Sequence, residues 1–205
     1  RAESITSSVR EYLKKRGVRA FVKTFASEKP LVGARQIVRT YGFGPIVPNT
    51  ILLGETEKAA SFLEFARLVK MICRTRRNLI VMRERRKAVE GWSAEDTRHH
   101  PDAGRERERI DVWWKGKSHN IAFVLAVVLL LRRSPEWEGA KLNIRLVVES
   151  NEEAVEYEKR LENFVEKERL KAETETILRE GRDVYDIIRT SSEGADLVFL
   201  GLRPP

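Results

Sequence analysis

Tyr41-Gly42-Phe43-Gly44-Pro45-Ile46-Val47-Pro48-Asn49-Thr50-Ile51-Leu52-Leu53-Gly54 is the stretch in which a helix has to stop, a loop turn and a strand begin. Gly42 and Gly44 tolerate the positive φ that closes a helix C-terminus. Pro45 and Pro48 then forbid further helix, because proline lacks an N–H and its ring collides with the preceding turn. Asn49-Thr50 leads into Ile51-Leu52-Leu53, a short apolar run with the length of a buried strand. The order is helix, crossover loop, strand.

Working outward on the N-terminal side, Ser4 to Lys15 places Ile5, Val9, Tyr12 and Leu13 on one helical face, with Gly17 as a stop. Val18 to Phe25 reads as a strand, Ala26 to Pro30 as a polar turn and Val32 to Thr40 as a modest helix. On the C-terminal side, Lys58 to Arg74 is the clearest helix, its apolar face drawn through Ala59, Phe62, Phe65, Ala66, Val69, Ile72 and Cys73. Leu79-Ile80-Val81-Met82 follows as a strand expected to be buried on both faces.

Arg83 to Glu108 breaks the rhythm with dense mixed charge, Gly91, Pro101 and Gly104, and reads as a flexible linker. Beyond it the alternation resumes: strand 109–114, helix 120–132, strand 141–148, helix 151–168, strand 173–178, helix 183–190 and strand 196–200. Ser150 and Glu153 have capping-box spacing, and Ala154, Tyr157, Leu161, Phe164 and Val165 give the helix that follows a narrow apolar stripe. Apolar strands alternating with helices indicate a mainly parallel sheet with helices on both faces. The expected class is α/β in two similar halves: a first subdomain over 1–82, a linker over 83–108 and a second subdomain over 109–205.

The chain has 205 residues, 41% of them hydrophobic, enough for one sizeable core or two small ones. Its single cysteine, Cys73, excludes an internal disulfide and fits a reducing compartment as a buried small hydrophobe. The longest apolar run, Ile121 to Leu131, is too short to cross a bilayer and is expected in the core. The chain opens at Arg1 without a leader and reads as an excised fragment. A net charge of +8 permits attraction to nucleic acid, anionic lipid or an acidic protein surface.

The crossover also belongs to a wider pattern. Gly42-x-Gly44-x-x-x-Pro48-Asn49-Thr50 is followed by Ile110-Asp111-Val112-Trp113-Trp114, and together these resemble the cytosolic C-terminal domain of cation-chloride cotransporters. Further pieces in the same order are Lys15–Phe21, Asn78–Arg83 and Asp186–Leu200. The residues carrying the resemblance as structural motif positions are Gly42, Gly44, Pro48, Asn49, Asp111, Trp113 and Trp114. One departure stands out: after the tryptophan pair the family usually shows Asp-Asp-Gly-Gly-Leu, where this chain has Lys115-Gly116-Lys117-Ser118-His119-Asn120.

The resemblance implies two universal-stress-protein-like halves, the first lacking its opening strands. It also implies a non-catalytic regulatory domain at the cytoplasmic face of the membrane. Its partners would be a second copy of itself, the transmembrane transport domain and anionic inner-leaflet lipid. The alternative is a universal-stress-like domain that senses adenine nucleotide. The nucleotide-binding members of that group carry Gly-x-x-Gly and later Gly-(Ser/Thr), which neither Met82–Arg85 nor Gly201–Pro204 supplies, so no cofactor is expected.

Other chemistry is weakly signalled. Gly42-Phe43-Gly44 precedes a strand instead of a helix, the wrong order for a phosphate cradle. His99 and His100 with Glu95, Asp96 and Asp102 are metal-ligating types in a charged linker with no framework, and no metal is assigned. Asp111 is read as the only acid in a partly buried setting, with no Ser, Cys or His to place beside it as a catalytic partner. Trp113 and Trp114 point to opposite faces of a strand, one or both into the core. Arginines at 74, 76, 77, 83, 85 and 86, with Lys87, bracket the strand Leu79–Met82, but no aromatic residues interleave with them, so nucleic acid is not an expected partner.

Overall fold

The computed structural model describes residues 2–15, 17–41, 48–56, 59–75, 77–83, 106–115 and 120–201. They fall into two compact units, one within residues 1–89 and one within 90–203. The linker histidines, with Glu95, Asp96 and Asp102, lie outside the described residues, as do Gly42 and Gly44.

The first unit opens with helix α1 (Ala2–Lys15). Gly17 stops it at φ +68, donating its N–H to the Lys14 carbonyl at 3.1 Å while Val18 reaches back to Leu13 at 3.0 Å. That pair of bonds satisfies the last carbonyls and needs a left-handed residue, which glycine supplies without strain.

The expected strand Val18–Phe25 does not form. The segment carries no ladder and instead runs back along α1, where Arg10 donates to the Val22 carbonyl at 3.4 Å and the Thr6 and Thr24 hydroxyls meet at 2.7 Å. A strand needs a neighbour for its N–H and C=O groups, and among the described residues none lies beside this one.

Helix α2 (Pro30–Thr40) begins on a proline, which the first helical turn accepts because its N–H has no partner there. Strand β1 (Thr50–Gly54) pairs in parallel with β2 (Asn78–Met82), Ile51 opposite Leu79. Between them a turn of 3-10 helix at Ala59–Ser61 leads into α3 (Phe62–Arg74). Val38 of α2 and Leu68 and Ile72 of α3 form the core, with Ile51, Leu53 and Leu79 of the sheet against it.

Three expectations change here. The buried stripe of α3 runs through Leu68 and Ile72: Ile72 belongs to the expected face, whereas Leu68 lies beside it and outside the expected core. Phe62 and Leu63 are exposed and Cys73 is half-buried. Among the described residues the β1–β2 sheet is covered on one face: α2 and α3 lie on the side of Ile51 and Leu53, and Leu52 and Met82 are exposed.

The second unit is a four-stranded parallel sheet in the order β5-β4-β3-β6. Its strands are β3 (Arg109–Trp113), β4 (Lys141–Val148), β5 (Ala172–Leu178) and β6 (Leu197–Leu200). The connecting helices are α4 (Ile121–Leu131), α5 (Asn151–Lys167) and α6 (Val184–Ser191). Leu125 and Val128 of α4 and Leu161 of α5 pack on one face, against Ile110, Val112 and the alternate apolar residues of β4. The connection from β5 to β6 crosses the sheet in the opposite sense, so right-handed crossover carries α6 to the other face. The mainly parallel α/β class expected from the sequence is therefore present, with helices on both faces of the second sheet.

The capping box at Ser150 forms with one variation. The Ser150 hydroxyl accepts from the Glu153 N–H at 3.3 Å, and the Glu153 carboxylate accepts from Glu149, one residue before the cap. Ser150→Ala is expected to cost about 1 kcal/mol in urea denaturation; an unchanged midpoint would show that the cap is idle.

Candidate functional site

The polar face of the second sheet is built by register. Parallel pairing sets Asp111 opposite Asn143 and Trp113 opposite Arg145, while Arg145 stands opposite Glu175 on β5. Alternation sends these side chains to one face and Ile110, Val112, Leu142 and Ile144 to the other. A charged row thus lies back to back with an apolar core.

Asp111 is fully buried, at 0% exposure. Its Oδ1 accepts from the Asn143 side-chain amide at 3.2 Å and lies 3.3 Å from Arg109 Nε. Its Oδ2 lies 3.6 Å from Arg145 Nη1. The two guanidinium contacts are ionic, because neither Arg109 Nε nor Asp111 Oδ2 is aligned for a hydrogen bond. A carboxylate taken out of water is retained only with such company.

Both arginines also reach α6. Arg145 donates to the Ser191 carbonyl, and Arg109 donates to Glu193 at 2.8 Å and to Ser191 at 3.4 Å. Cations at a helix C-terminus meet the negative end of its dipole and its unpaired carbonyls. The Trp113 indole N–H donates to the buried Ser192 hydroxyl at 2.9 Å, and the Arg145 guanidinium sits 5.9 Å from the Trp113 ring centre. Glu175 pairs with Arg145 from the open side at 3.1 Å. Asp111 is the hub of a latch that fastens the end of α6 to the sheet.

This geometry places the sequence-read residues unevenly. Asp111 and Trp113 belong to the latch, whereas Trp114 lies on the opposite face, its ring 5.6 Å from Phe164. Pro48 and Asn49 belong to the first unit, where the Asn49 carbonyl accepts from the Asn78 N–H at 2.8 Å and so ties the start of β1 to β2. Asp111 is not the only partly buried acid: the Asp196 side chain is 11% exposed and accepts from the Glu108 and Arg109 N–H groups at 2.7 and 3.1 Å. Sequence reading missed Asn143, Arg145 and Ser192. A signal for the first two existed in Lys141–Val148, where Asn and Arg alternate with Leu, Ile and Leu.

A solved protein shares this fold. The chain has the fold of the cytoplasmic domain of a prokaryotic cation chloride cotransporter. That crystal structure aligns with a TM-score of 0.58 over 92% of this chain and 74% of that one, at 16% identity. The resemblance read from the sequence therefore holds at the level of fold. No family model matches the chain.

The latch offers structural chemistry. Asp111 has no exposure and is ringed by counter-ions and an amide, so it serves as a fixed counter-charge. Among the described residues no group of three or more His, Cys, Asp or Glu is arranged to hold a metal ion, and no helix is long and apolar enough to cross a membrane.

Proposed function

We propose that this chain is a non-catalytic regulatory and dimerisation domain on the cytoplasmic side of a cation chloride cotransporter, with a second copy and the transmembrane transport domain as its partners. The observation that carries the reading is the shared fold over nearly the whole chain. The sealed environment of Asp111 supports a structural role for the residue that most invited a chemical one.

Helix α4 supports self-association. All its residues are apolar, but only Leu125 and Val128 are buried; Leu129 and Leu130 stay exposed, along with Ala122 and Ala126. A helix apolar on every side is ordinarily covered on every side. A two-fold pairing of α4 with its copy would cover that surface with itself.

Sedimentation equilibrium at micromolar concentrations is expected to give twice the 23.7 kDa chain mass, and Leu130→Lys to return it to one. A single-chain mass at every concentration for the unmodified chain would count against dimerisation. Heat from ATP binding at one site per chain would replace the regulatory reading with nucleotide sensing.

A further inference from the structure

Charge is divided sharply along the chain. Residues 1–83 hold 17 Lys and Arg against 6 Asp and Glu, residues 84–105 hold five of each sign, and residues 106–205 hold 17 against 20. Residues 1–83 thus carry +11, which the −3 of residues 106–205 lowers to the chain's +8.

Within the first unit, basic and apolar residues are interleaved on one surface. Helix α1 and the extended segment behind it line an open cleft of about 630 Å³, with Arg10, Lys14 and Arg19 beside Leu13, Val18 and Phe21. Phe21 is 96% exposed, and Val18 and Phe25 on the same segment are exposed as well. Lys15 is paired with Glu11 at 2.9 Å, whereas Lys14, Arg19 and Lys23 make no ion pair among the described residues.

We propose that α1 and residues 18–25 form a docking surface for an anionic phospholipid bilayer. Apolar side chains enter the headgroup boundary while lysine and arginine stems extend to the phosphates, the arrangement that holds amphipathic segments at a membrane surface. Each cation near an anionic leaflet strengthens binding by roughly fivefold. A second copy of the chain fits the surface poorly, because a two-fold contact would set cations against cations. RNA fits less well, since Phe21 and Phe25 share the surface with the aliphatic Leu13 and Val18, which offer bases no face to stack on. The surface stands on this chain's own residues and does not require that the chain serve a transporter.

Co-flotation of the full chain with vesicles tests the proposal. Phosphatidylcholine vesicles containing about a third phosphatidylserine are expected to carry the chain at low salt, and pure phosphatidylcholine vesicles to leave it behind. The triple variant Lys14→Gln, Arg19→Gln, Lys23→Gln is expected to lose about a hundredfold in partitioning. Phe21→Ala, at a site that packs on nothing, should weaken binding several-fold while leaving the circular dichroism spectrum unchanged. Removing three cations from α5 (Lys159, Arg160 and Lys167 to Gln) should leave partitioning unaltered.

No flotation with phosphatidylserine vesicles would overturn the proposal. Equal losses from the α1-segment and α5 triples would reduce it to net charge alone. Tighter salt-matched binding to a single-stranded RNA than to vesicles would replace the bilayer with nucleic acid. A sedimentation result showing monomer, which sinks the dimer, leaves this test untouched.

Discussion

Asp111→Ala is expected to destabilise the second unit by about 3 to 5 kcal/mol, the range for removing one partner of a buried ionic group. Arg145 makes the loss large. Its side chain is 10% exposed, so its charge stays inside once the carboxylate is gone, with only the half-exposed Glu175 left to face it. Arg109, at 28%, can turn toward water and recover part of its solvation.

The loss is readable by tryptophan fluorescence in urea. Trp113, Trp114 and Trp137 all lie in the second unit, and residues 1–83 contain no tryptophan. Hydrogen exchange should speed first at the end of α6, where the arginines hold the Ser191 and Glu193 carbonyls. Removing both partners together, as Asp111→Leu with Arg145→Met, should recover much of the loss, because no charge is then stranded. A midpoint shift worth less than about 0.5 kcal/mol for Asp111→Ala would show that the carboxylate does not hold the latch.

The same latch shows where sequence reading succeeds and where it stops. Lys141–Val148 is legible to the residue, because Leu142, Ile144, Leu146 and Val148 alternate with polar positions and Glu149-Ser150 ends the run. The crossover strand is legible from its prolines and the apolar triplet after them. The burial of Asp111 is legible from an acid flanked by apolar residues. Its company is not: Asn143 and Arg145 become neighbours only through parallel register, which no local pattern encodes.

Phase fails where a helix is apolar on too many sides. In α3 the expected face takes in Phe62, Phe65, Val69 and Ile72 and leaves out Leu68, and only packing against α2 and the sheet puts Leu68 beside Ile72 in the core and leaves Phe62 exposed. Residues 18–25 fail for the converse reason: the β-branched and aromatic composition is right, but a ladder is a property of two strands.

Leu161→Ala is the second large loss, expected at about 3 to 4 kcal/mol on the scale of large-to-small substitutions at fully buried sites. Leu161 is the one residue of α5 with no exposure, the centre of the stripe that joins that helix to the apolar face of the sheet. Alanine is at least as good a helix former as leucine, so propensity cannot account for a loss. What is left is the transfer term and the space opened among Ala154, Phe164 and the strand residues of the cluster. Val155 on the same helix is 69% exposed and supplies the control: Val155→Ala should change stability by less than about 0.5 kcal/mol. Equal effects at the two positions would mean that α5 is not seated on the sheet through Leu161. Asp111 and Leu161 act on opposite faces of one sheet, and their combined loss rivals the whole stability of a small domain. Each is therefore best measured alone, with an unchanged denaturant slope showing that the unfolded surface is the same in both.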